Sequence, residues 1–433
     1  MALGDSVRLL RDAEFASLAG SAFARSQAYS TILIALALYA DLFGTTGLVE
    51  GLFGTAFAVV QLVVVLPLGR AVDTGNAKRY LLAGFLVNVA VFVGFVFVNS
   101  PVHVVLIRMV QGLGASLLWI TGATVIGEIS PDDDQGLWLG SYNQFASVSS
   151  LAGDLLGGYL LYAYGFTEAY AVLSLVTLGA FLLVWRFLRD NPGGQRDPAE
   201  SGGLEAFRSL LALPMLRSLV VFRFTFSVGK MAVIIFLPIY ARTAFGISAF
   251  AIGWIMAGGK LTKAITQGFV GGLTDRYGRR HGFVAVGALL YGVGTAAVPL
   301  AAYFEGAVAP VTVSYLGDSQ TLGGAFFALF AAYSLLGVAD SIRLPASMSL
   351  FVDEGERHES VASAMSLRSI SWKVGQVLGP VVVGVTMDAT TTETGFLLAA
   401  GFIAFATTLF AFQSRRAAAA ETPAAVESVG PVE

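Results

Sequence analysis

Cysteine is absent from the 433-residue sequence, which excludes disulfide bonds, thiolate metal sites and a cysteine nucleophile. The three histidines, His103, His281 and His358, lie far apart in the sequence, so we expect no histidine-bound metal. A phosphate-binding P-loop and a paired nucleophile and base are missing as well. These absences argue against an enzyme, and we expect neither a metal nor another cofactor.

Charged residues are also scarce. They make up 13% of the chain, whereas a soluble protein carries about 25%. Hydrophobic residues reach 56%, and the mean hydropathy is +0.74. The formal net charge of −3 gives no sign of a nucleic-acid partner. This composition is typical of a protein whose surface faces lipid.

Long apolar runs supply the helices for such a surface. A helix needs about 20 apolar residues to cross the hydrocarbon core of a bilayer, and twelve runs meet this requirement. The sequence therefore predicts an all-α membrane protein with twelve transmembrane helices. The predicted spans are 20–43, 51–70, 80–99, 102–127, 137–162, 168–188, 217–240, 249–273, 282–304, 325–351, 360–386 and 394–413.

Basic residues between the spans predict the orientation, because cytoplasmic loops are enriched in Lys and Arg. With both termini in the cytoplasm, sixteen bases fall on the cytoplasmic side and Arg242 alone falls on the outer side. The remaining nine of the 26 bases lie inside predicted spans. We therefore expect a multi-pass protein of the cell membrane with cytoplasmic N- and C-termini.

The chain divides into two parts of similar length. Residues 189–214 begin with a stretch rich in Pro, Gly and charge, which predicts a cytoplasmic linker. The linker separates a first six-helix bundle, 1–188, from a second, 215–413. The alanine-rich residues 414–433 predict a disordered cytoplasmic tail.

The two bundles carry related motifs, which indicates an internal repeat. Asp275, after the eighth span, lies 202 residues beyond Asp73, after the second. Gly379 in the eleventh span lies 226 residues beyond Gly153 in the fifth. A longer outer connection at about 305–324 reconciles the two offsets, so a single insertion explains the alignment.

These motifs resemble those of the major facilitator superfamily along nearly the whole chain. GGLTDRYGRR at 271–280 looks like the family's signature between the eighth and ninth helices, and GRAVDTGNAKR at 69–79 is a degenerate first-half copy. Arg108, followed by Gln111, is similar to the arginine motif of the fourth helix. The fifth helix departs from the antiporter motif, since Asp154 stands where a proline is usual. The resemblance implies two pseudo-symmetric six-helix bundles, the major facilitator fold.

The loop signatures also have a physical interpretation. Glycine lets helices approach closely, and a carboxylate can accept hydrogen bonds from a neighbouring helix N-terminus. The resemblance implies that such contacts lock one access state and break in the other; the alternative is plain anchoring of the loops at the headgroups. The residues predicted to gate are Gly69, Asp73, Gly271, Asp275, Arg276, Gly278 and Arg279.

Bases outnumber acids inside the spans, and each costs about 2.5–3.5 kcal/mol near a helix centre unless it has a partner or a hydrated cavity. Asp340 and Arg343 can pair along one helix face. Arg25, Arg223 and Arg368 lie close enough to the inner face for their side chains to extend to it.

The surplus of bases predicts a positive cavity. Lys260 and Lys263 repel each other unless an anion lies between them or one is deprotonated. The cavity would attract an organic anion; the alternative is static pairing with acids of other helices. The resemblance adds the first, fourth, seventh and tenth helices as lining elements. The predicted cavity residues are Arg25, Tyr29, Arg108, Lys230, Lys260, Lys263, Gln267 and Tyr333.

A second predicted group couples an ion to transport. Asp41, Arg108 and Asp154 lie at similar depths, given a rise of about 1.5 Å per residue. A carboxylate beside an arginine stays ionised, whereas a desolvated one takes up a proton. Alternation between these environments would couple proton movement to transport; the alternative is a static ion-pair cluster that holds the first half together.

These features favour a secondary active transporter that works by alternating access, with protons as the coupling ion and an organic anion or anion-bearing compound as solute. Two alternatives stay open: proton-coupled efflux of multidrug-type amphipathic compounds, and a transporter-like receptor that no longer cycles. The intact second-half signature argues against the receptor. The expected partners are the solute, the lipid bilayer and protons, and we expect a monomer.

Overall fold

The computed structural model describes residues 3–191, 204–315, 318–358 and 360–421. A short helix, α1 (Leu3–Leu9), precedes the first bundle, and α8 (Leu204–Ala212) precedes the second. The long helices of the first bundle are α2 (Ala13–Phe43), α3 (Gly47–Thr74), α4 (Ala77–Val96), α5 (Pro101–Ile129), α6 (Gln135–Ala163) and α7 (Phe166–Phe187). Those of the second are α9 (Pro214–Phe245), α10 (Ala249–Tyr277), α11 (Arg280–Ala297), which continues through a 3-10 turn into α12 (Ala301–Phe304), α13 (Gly324–Arg357), α14 (Val361–Ala389) and α15 (Thr392–Glu421).

Twelve long helices cross the described part of the chain, as predicted. Ten of them are long and apolar enough to span a membrane. The other two, α6 and α10, contain 29 residues each and carry more polar side chains, among them Asp154 and Lys260. The prediction of an all-α membrane protein with twelve spans is confirmed.

The helices run back and forth between two ends of the molecule. The signature end carries the loop after α10 with residues 271–280, the loop after α3, and α1. The hairpin end carries an antiparallel hairpin of β1 (Val311–Tyr315) and β2 (Asp318–Leu322), in which Val311 lies opposite Leu322. This hairpin occupies the longer connection predicted at 305–324.

Each half repeats the same packing. In the first half α2 packs on α6 and α7, α3 and α4 pack on α5, and α4 packs on α7. In the second half α9 packs on α14 and α15, α10 and α11 pack on α13, and α11 packs on α15. The corresponding helices α2 and α9 both end at a glycine in the left-handed conformation, Gly44 and Gly246. The two halves are therefore pseudo-symmetric, as the repeat predicted.

Two seams join the halves near the hairpin end, one between α3 and α14 and one between α6 and α10, while α2 meets α9 between them. A Cβ atom on Gly51 would lie 2.8 Å from the carbonyl carbon of Pro380. A Cβ atom on Gly253 would lie 3.2 Å from the carbonyl carbon of Asp154. The helix backbones therefore touch directly, as small residues permit in membrane helices.

A carboxylate strengthens the first seam. Asp388 at the end of α14 accepts hydrogen bonds from the backbone N–H groups of Gly47 at 2.5 Å and Leu48 at 2.9 Å. These donors belong to the first turn of α3, which has no intrahelical acceptors for them. The N-terminus of a helix in one half is thus capped by a side chain of the other half.

The apolar core shows which end is closed. Phe53 and Tyr170 of the first half belong to one buried cluster with Phe236 and Ile239 of the second. Toward the signature end the first half has a separate core, which includes Phe15. The halves are therefore packed together at the hairpin end.

Three predicted boundaries need correction. The predicted linker, 189–214, contains the helix α8 over its described part. The predicted disordered tail, 414–433, is helical as far as Glu421, because its alanine-rich start continues a transmembrane helix with residues of high helix propensity; residues 422–433 lie outside the described part. The first long helix begins at Ala13 rather than at residue 20, since Asp12 accepts a hydrogen bond from Phe15 N at 2.9 Å and caps it.

Candidate functional site

A carboxylate of α13 holds two cations inside the second half. Asp340 accepts a hydrogen bond from Nη2 of Arg343 at 2.8 Å and contacts Nζ of Lys230, which projects from α9. The Arg343 side chain is 1% exposed, so the pair is almost fully withdrawn from solvent. The predicted pairing of Asp340 with Arg343 is confirmed, and Lys230 shares the same carboxylate.

Lys260 of α10 reaches across to the first half. Its Nζ lies 2.6 Å from Oδ2 of Asp154 in α6. It also donates hydrogen bonds to Oγ of Ser30 at 2.7 Å and to the carbonyl oxygen of Ser150 at 3.2 Å. Asp154 is fully buried. For Lys260 the alternative of pairing with an acid of another helix therefore applies, and no anion is needed to separate it from Lys263.

The predicted group of Asp41, Arg108 and Asp154 does not form in this conformation. Asp41 accepts a hydrogen bond from Nε of Arg242 at 2.8 Å, and Asp154 pairs with Lys260. The prediction was wrong because similar depth does not bring side chains together: both acids turn toward bases of the opposite half. Asp41 also lines a cavity of about 450 Å³ at the hairpin end, together with Glu50, Tyr240 and Asp388.

Arg108 is held within the first half. Its Nε donates to the carbonyl oxygen of Phe53 at 2.8 Å, and its Nη1 donates to Oε1 of Gln111 at 2.5 Å. The guanidinium carbon lies 4.4 Å from the ring centre of Phe57. Arg108 is 1% exposed. It stabilises the packing of α5 on α3 through its contacts with a backbone carbonyl and an aromatic ring of α3.

The other predicted cavity residues are spread over both halves. The Tyr29 ring lies 5.6 Å from that of Phe57, next to Arg108. Tyr333 of α13 packs against the backbone of α10, where a Cβ atom on Gly259 would lie 2.7 Å from its ring. Lys263 is half-buried and Gln267 is exposed, so the predicted shared face of α10 changes from buried to exposed along its length.

The arginines predicted to reach the inner surface differ in burial. Arg223 is 7% exposed; its Nε donates to the carbonyl oxygen of Arg368 at 2.9 Å, and its guanidinium lies 4.9 Å from the ring of Trp372. Arg25 and Arg368 are half-buried, and the Arg25 guanidinium lies 4.6 Å from the ring of Trp119. Aromatic faces contact Arg223 and Arg25, and the extension of these side chains to the inner surface stays a prediction.

In the second half, the sequence contains one indication that an arginine and a tryptophan lie close together. Trp372 follows Arg368 by four residues, which places both on one face of a helix.

The gating residues divide into three kinds. Gly278 ends α10 with φ +62°, and its N–H donates to the carbonyl oxygen of Thr274 at 3.0 Å, so it serves as the helix cap for which glycine is preferred. Gly69 faces open space, since an added Cβ atom would meet nothing within 4 Å. The expected close helix approach is therefore absent at Gly69 in this conformation. Arg276 and Arg279 are exposed.

The acids of the two signatures are Asp73 and Asp275, and the structure describes the side chain of Asp73. Asp73 is half-buried and has no hydrogen bond or ion pair with a described residue. The side chain of Asp275 lies outside the described part, and so does the immediate environment of Gly271. Next to them, Arg280 pairs with Asp353 at the end of α13, as expected for a base that anchors to an acid across the loop. The gating role itself stays a prediction.

Comparisons with known proteins agree with this architecture. The sequence profile of the Major Facilitator Superfamily matches residues 18–240 and, a second time, residues 219–432. An uncharacterised MFS-type transporter of Methanocaldococcus jannaschii is 22% identical over 359 residues, which cover 82% of this chain and 86% of the relative. The multidrug resistance protein MdtG of Dickeya zeae is 24% identical over 369 residues, which cover 83% and 84% of the two chains.

The fold has solved counterparts. The chain is similar to the crystal structure of a bacterial homologue of the human lysosomal transporter Spinster in an inward-facing, unoccupied conformation. The TM-score is 0.72 at 16% identity, and the match covers 96% of this chain and 98% of the other.

Proposed function

Because the chain belongs to the Major Facilitator Superfamily, we propose that it is a secondary active transporter which moves an organic anion, or a compound that bears an anionic group, by alternating access coupled to protons. One observation carries this proposal: the ion pair of Lys260 with Asp154 joins the two halves inside the helices.

The ion pair of Lys260 with Asp154 supports alternating access. It joins α10 to α6, which form one of the two seams. A transporter that opens the hairpin end has to separate these helices and break this contact. Charged groups inside membrane helices are expensive and mark solute or ion pathways, so the pair has a function that a static bundle would not need.

The same pair supports proton coupling. When Lys260 is removed, Asp154 remains as a desolvated carboxylate, and a desolvated carboxylate favours its protonated form. We therefore assign the coupling role to Asp154 and not to Asp41 or Arg108. Asp41 lies at the hairpin end with 42% of its side chain exposed, and Arg108 keeps its proton at ordinary pH.

The anionic solute is supported by the charge balance of the second half. Arg223, Lys230, Lys263 and Arg368 lie near Arg343 on α9, α10 and α14, and Asp340 is the acid between them. A positive region that a solute can reach raises the local concentration of anions.

Transport by the purified protein in liposomes tests the proposal. The liposomes contain a pH-sensitive dye and are supplied with a panel of anionic, neutral and cationic solutes. We expect uptake of anions with simultaneous proton movement. Lys230→Ala should lower anion transport by about tenfold or more, the effect of about 1.4 kcal/mol. Asp154→Asn should abolish proton movement, and Asp134→Asn, which changes an exposed acid, should change neither.

A second candidate is the export of amphipathic drug-like compounds. It is favoured by the similarity to MdtG, whose name describes multidrug resistance, over 83% of this chain. Under this function the same liposomes would transport neutral and cationic amphipathic compounds, and Lys230→Ala would leave that transport intact. That result would contradict the anionic solute and retain the transporter.

A further inference from the structure

We propose that Arg223, Arg343 and Arg368 form a binding site for a phosphate-type oxyanion group. The inference rests on the proposed function, because it names the chemistry of the anionic group that the transporter recognises. None of the three arginines was predicted from the sequence as a cavity residue.

Three helices bring the arginines together. Arg223 of α9 donates through Nε to the carbonyl oxygen of Arg368 in α14 at 2.9 Å. The guanidinium of Arg343 in α13 lies 4.0 Å from the ring of Phe226, which is three residues beyond Arg223 on the same face of α9. The three positive charges lie within electrostatic range of one another, although like charges repel. Their convergence calls for a stabilising group of opposite charge.

The arginines keep hydrogen-bond donors that the described residues do not use. Nη1 of Arg223, Nε and Nη1 of Arg343, and Nε of Arg368 are buried and have no acceptor in the described part of the chain. A buried donor without an acceptor costs about 1–3 kcal/mol, and more when it is charged. Four such atoms from three side chains therefore favour an acceptor other than the described residues.

The charge of the cluster indicates an acceptor with more than one negative charge. Among the described residues, Asp340 interacts electrostatically with Arg223, Lys230, Lys263 and Arg343, and Arg368 interacts with Arg223 and Arg343. A monocarboxylate offers one charge and two oxygens in one plane. A phosphate monoester offers about two charges at neutral pH and three terminal oxygens that point in different directions. Arginine forks are suited to such oxyanions because they bind them with paired, charge-assisted hydrogen bonds.

The cluster is not fully enclosed by protein. Arg368 is half-buried, and 13% of the Lys230 side chain is exposed. The aromatic rings of Trp372 and Phe226 cover the guanidinium faces of Arg223 and Arg343, which leaves the N–H edges as the groups presented to a ligand.

Calorimetric titration tests the site in the full-length protein, purified in a phosphate-free sugar detergent. The ligands are inorganic phosphate, glycerol phosphate, acetate and phosphatidic acid in the same detergent. We expect inorganic phosphate and glycerol phosphate to bind and acetate to bind at least about tenfold more weakly, since the loss of one charge-assisted contact corresponds to about 1.4 kcal/mol or more. This comparison uses the unaltered protein, so it does not depend on the folding of a variant.

Substitutions then locate the site. Arg223→Gln and Arg368→Gln should each weaken phosphate binding by about tenfold or more, while Arg186→Gln, at an exposed arginine of α7, should not. Arg368→Lys keeps the charge but loses the fork, and we expect it to weaken binding too. Thermal denaturation in parallel shows that each variant is folded.

Two results would overturn the inference: equal binding of acetate and phosphate, or unchanged phosphate binding in Arg223→Gln and Arg368→Gln. Binding of phosphatidic acid but not of the soluble phosphates would retain the oxyanion site and assign it to a lipid headgroup. If phosphate fails to bind while the liposomes still take up other anions with protons, the oxyanion site is wrong and the proposed function stands.

Discussion

Asp154 shows how much one residue depends on the other half of the molecule. It is fully buried, and the Lys260 ammonium of the other half pairs with it at 2.6 Å. If α6 and α10 separate, the carboxylate loses the charge that keeps it ionised. The proposed coupling role of Asp154 therefore depends on the movement of one helix.

A double-mutant cycle measures this dependence. We expect Lys260→Gln to destabilise the protein by about 3–5 kcal/mol, because it leaves a buried carboxylate without a partner. Asp154→Asn/Lys260→Gln should recover most of the loss, since no charge then remains unpaired. Thermal or denaturant unfolding in detergent gives the free energies, with Asp134→Asn as control. Additive effects of the two changes would contradict a direct pairing.

The sequence predicted ion pairs within one helix better than pairs between helices. Asp340 and Arg343 are three residues apart, and helix geometry alone places them side by side. Lys260 follows Asp154 by more than a hundred residues, and their contact depends on how the two halves dock. The depth of a residue along its helix was predictable, but the direction in which its side chain points was not.

At the scale of helices, the seams depend on backbone contact. Gly51 of α3 faces the backbone of Pro380 in α14, and Gly253 of α10 faces the backbone of Asp154 in α6. The two seams are related by the pseudo-symmetry, because α3 corresponds to α10 and α14 corresponds to α6. An added side chain in either seam would therefore hold the halves apart at the hairpin end.

Gly51→Val tests this seam. A Cβ atom at position 51 would lie 2.8 Å from the carbonyl carbon of Pro380, and overpacking typically costs about 1–3 kcal/mol. We expect transport in liposomes to fall by about tenfold or more while thermal stability falls modestly. Gly179→Val is the matched control, since a Cβ atom there meets nothing within 4 Å. Equal transport by Gly51→Val and the unaltered protein would show that this seam does not have to close.

Most helices were predictable because an apolar run of membrane length has few other structures available. The short elements were not. The hairpin at 311–322 has five residues in each strand, too few to give a signal beside the long apolar runs. The extension of α15 to Glu421 follows from alanine-rich sequence that composition alone assigns equally well to a flexible tail.

At the scale of the whole molecule, an even number of crossings places both described termini at the signature end. The hairpin lies at the opposite end. The sixteen bases that predicted cytoplasmic loops lie at the signature end wherever they fall in the described part. We therefore propose that the signature end faces the cytoplasm, so that the halves are packed together on the outer side.

The lack of cysteine makes this orientation testable without background labelling. Gly306→Cys and Gly136→Cys each introduce one thiol at a position where a Cβ atom meets nothing within 4 Å. In intact cells we expect a membrane-impermeant maleimide to label Gly306→Cys and not Gly136→Cys. Permeabilised cells, in which both should react, provide the control. Labelling of Gly136→Cys in intact cells would reverse the orientation.

The hydrogen bonds of the Asp388 carboxylate determine where water must enter if the halves separate. It completes the first turn of α3 by accepting from the N–H groups of Gly47 and Leu48. If the hairpin end opens, these two hydrogen bonds break. Water then has to bind the freed N–H groups and the carboxylate. Under the proposed alternating access, each cycle would hydrate the start of this helix, and we expect the rate of switching to depend on how readily water enters between α3 and α14.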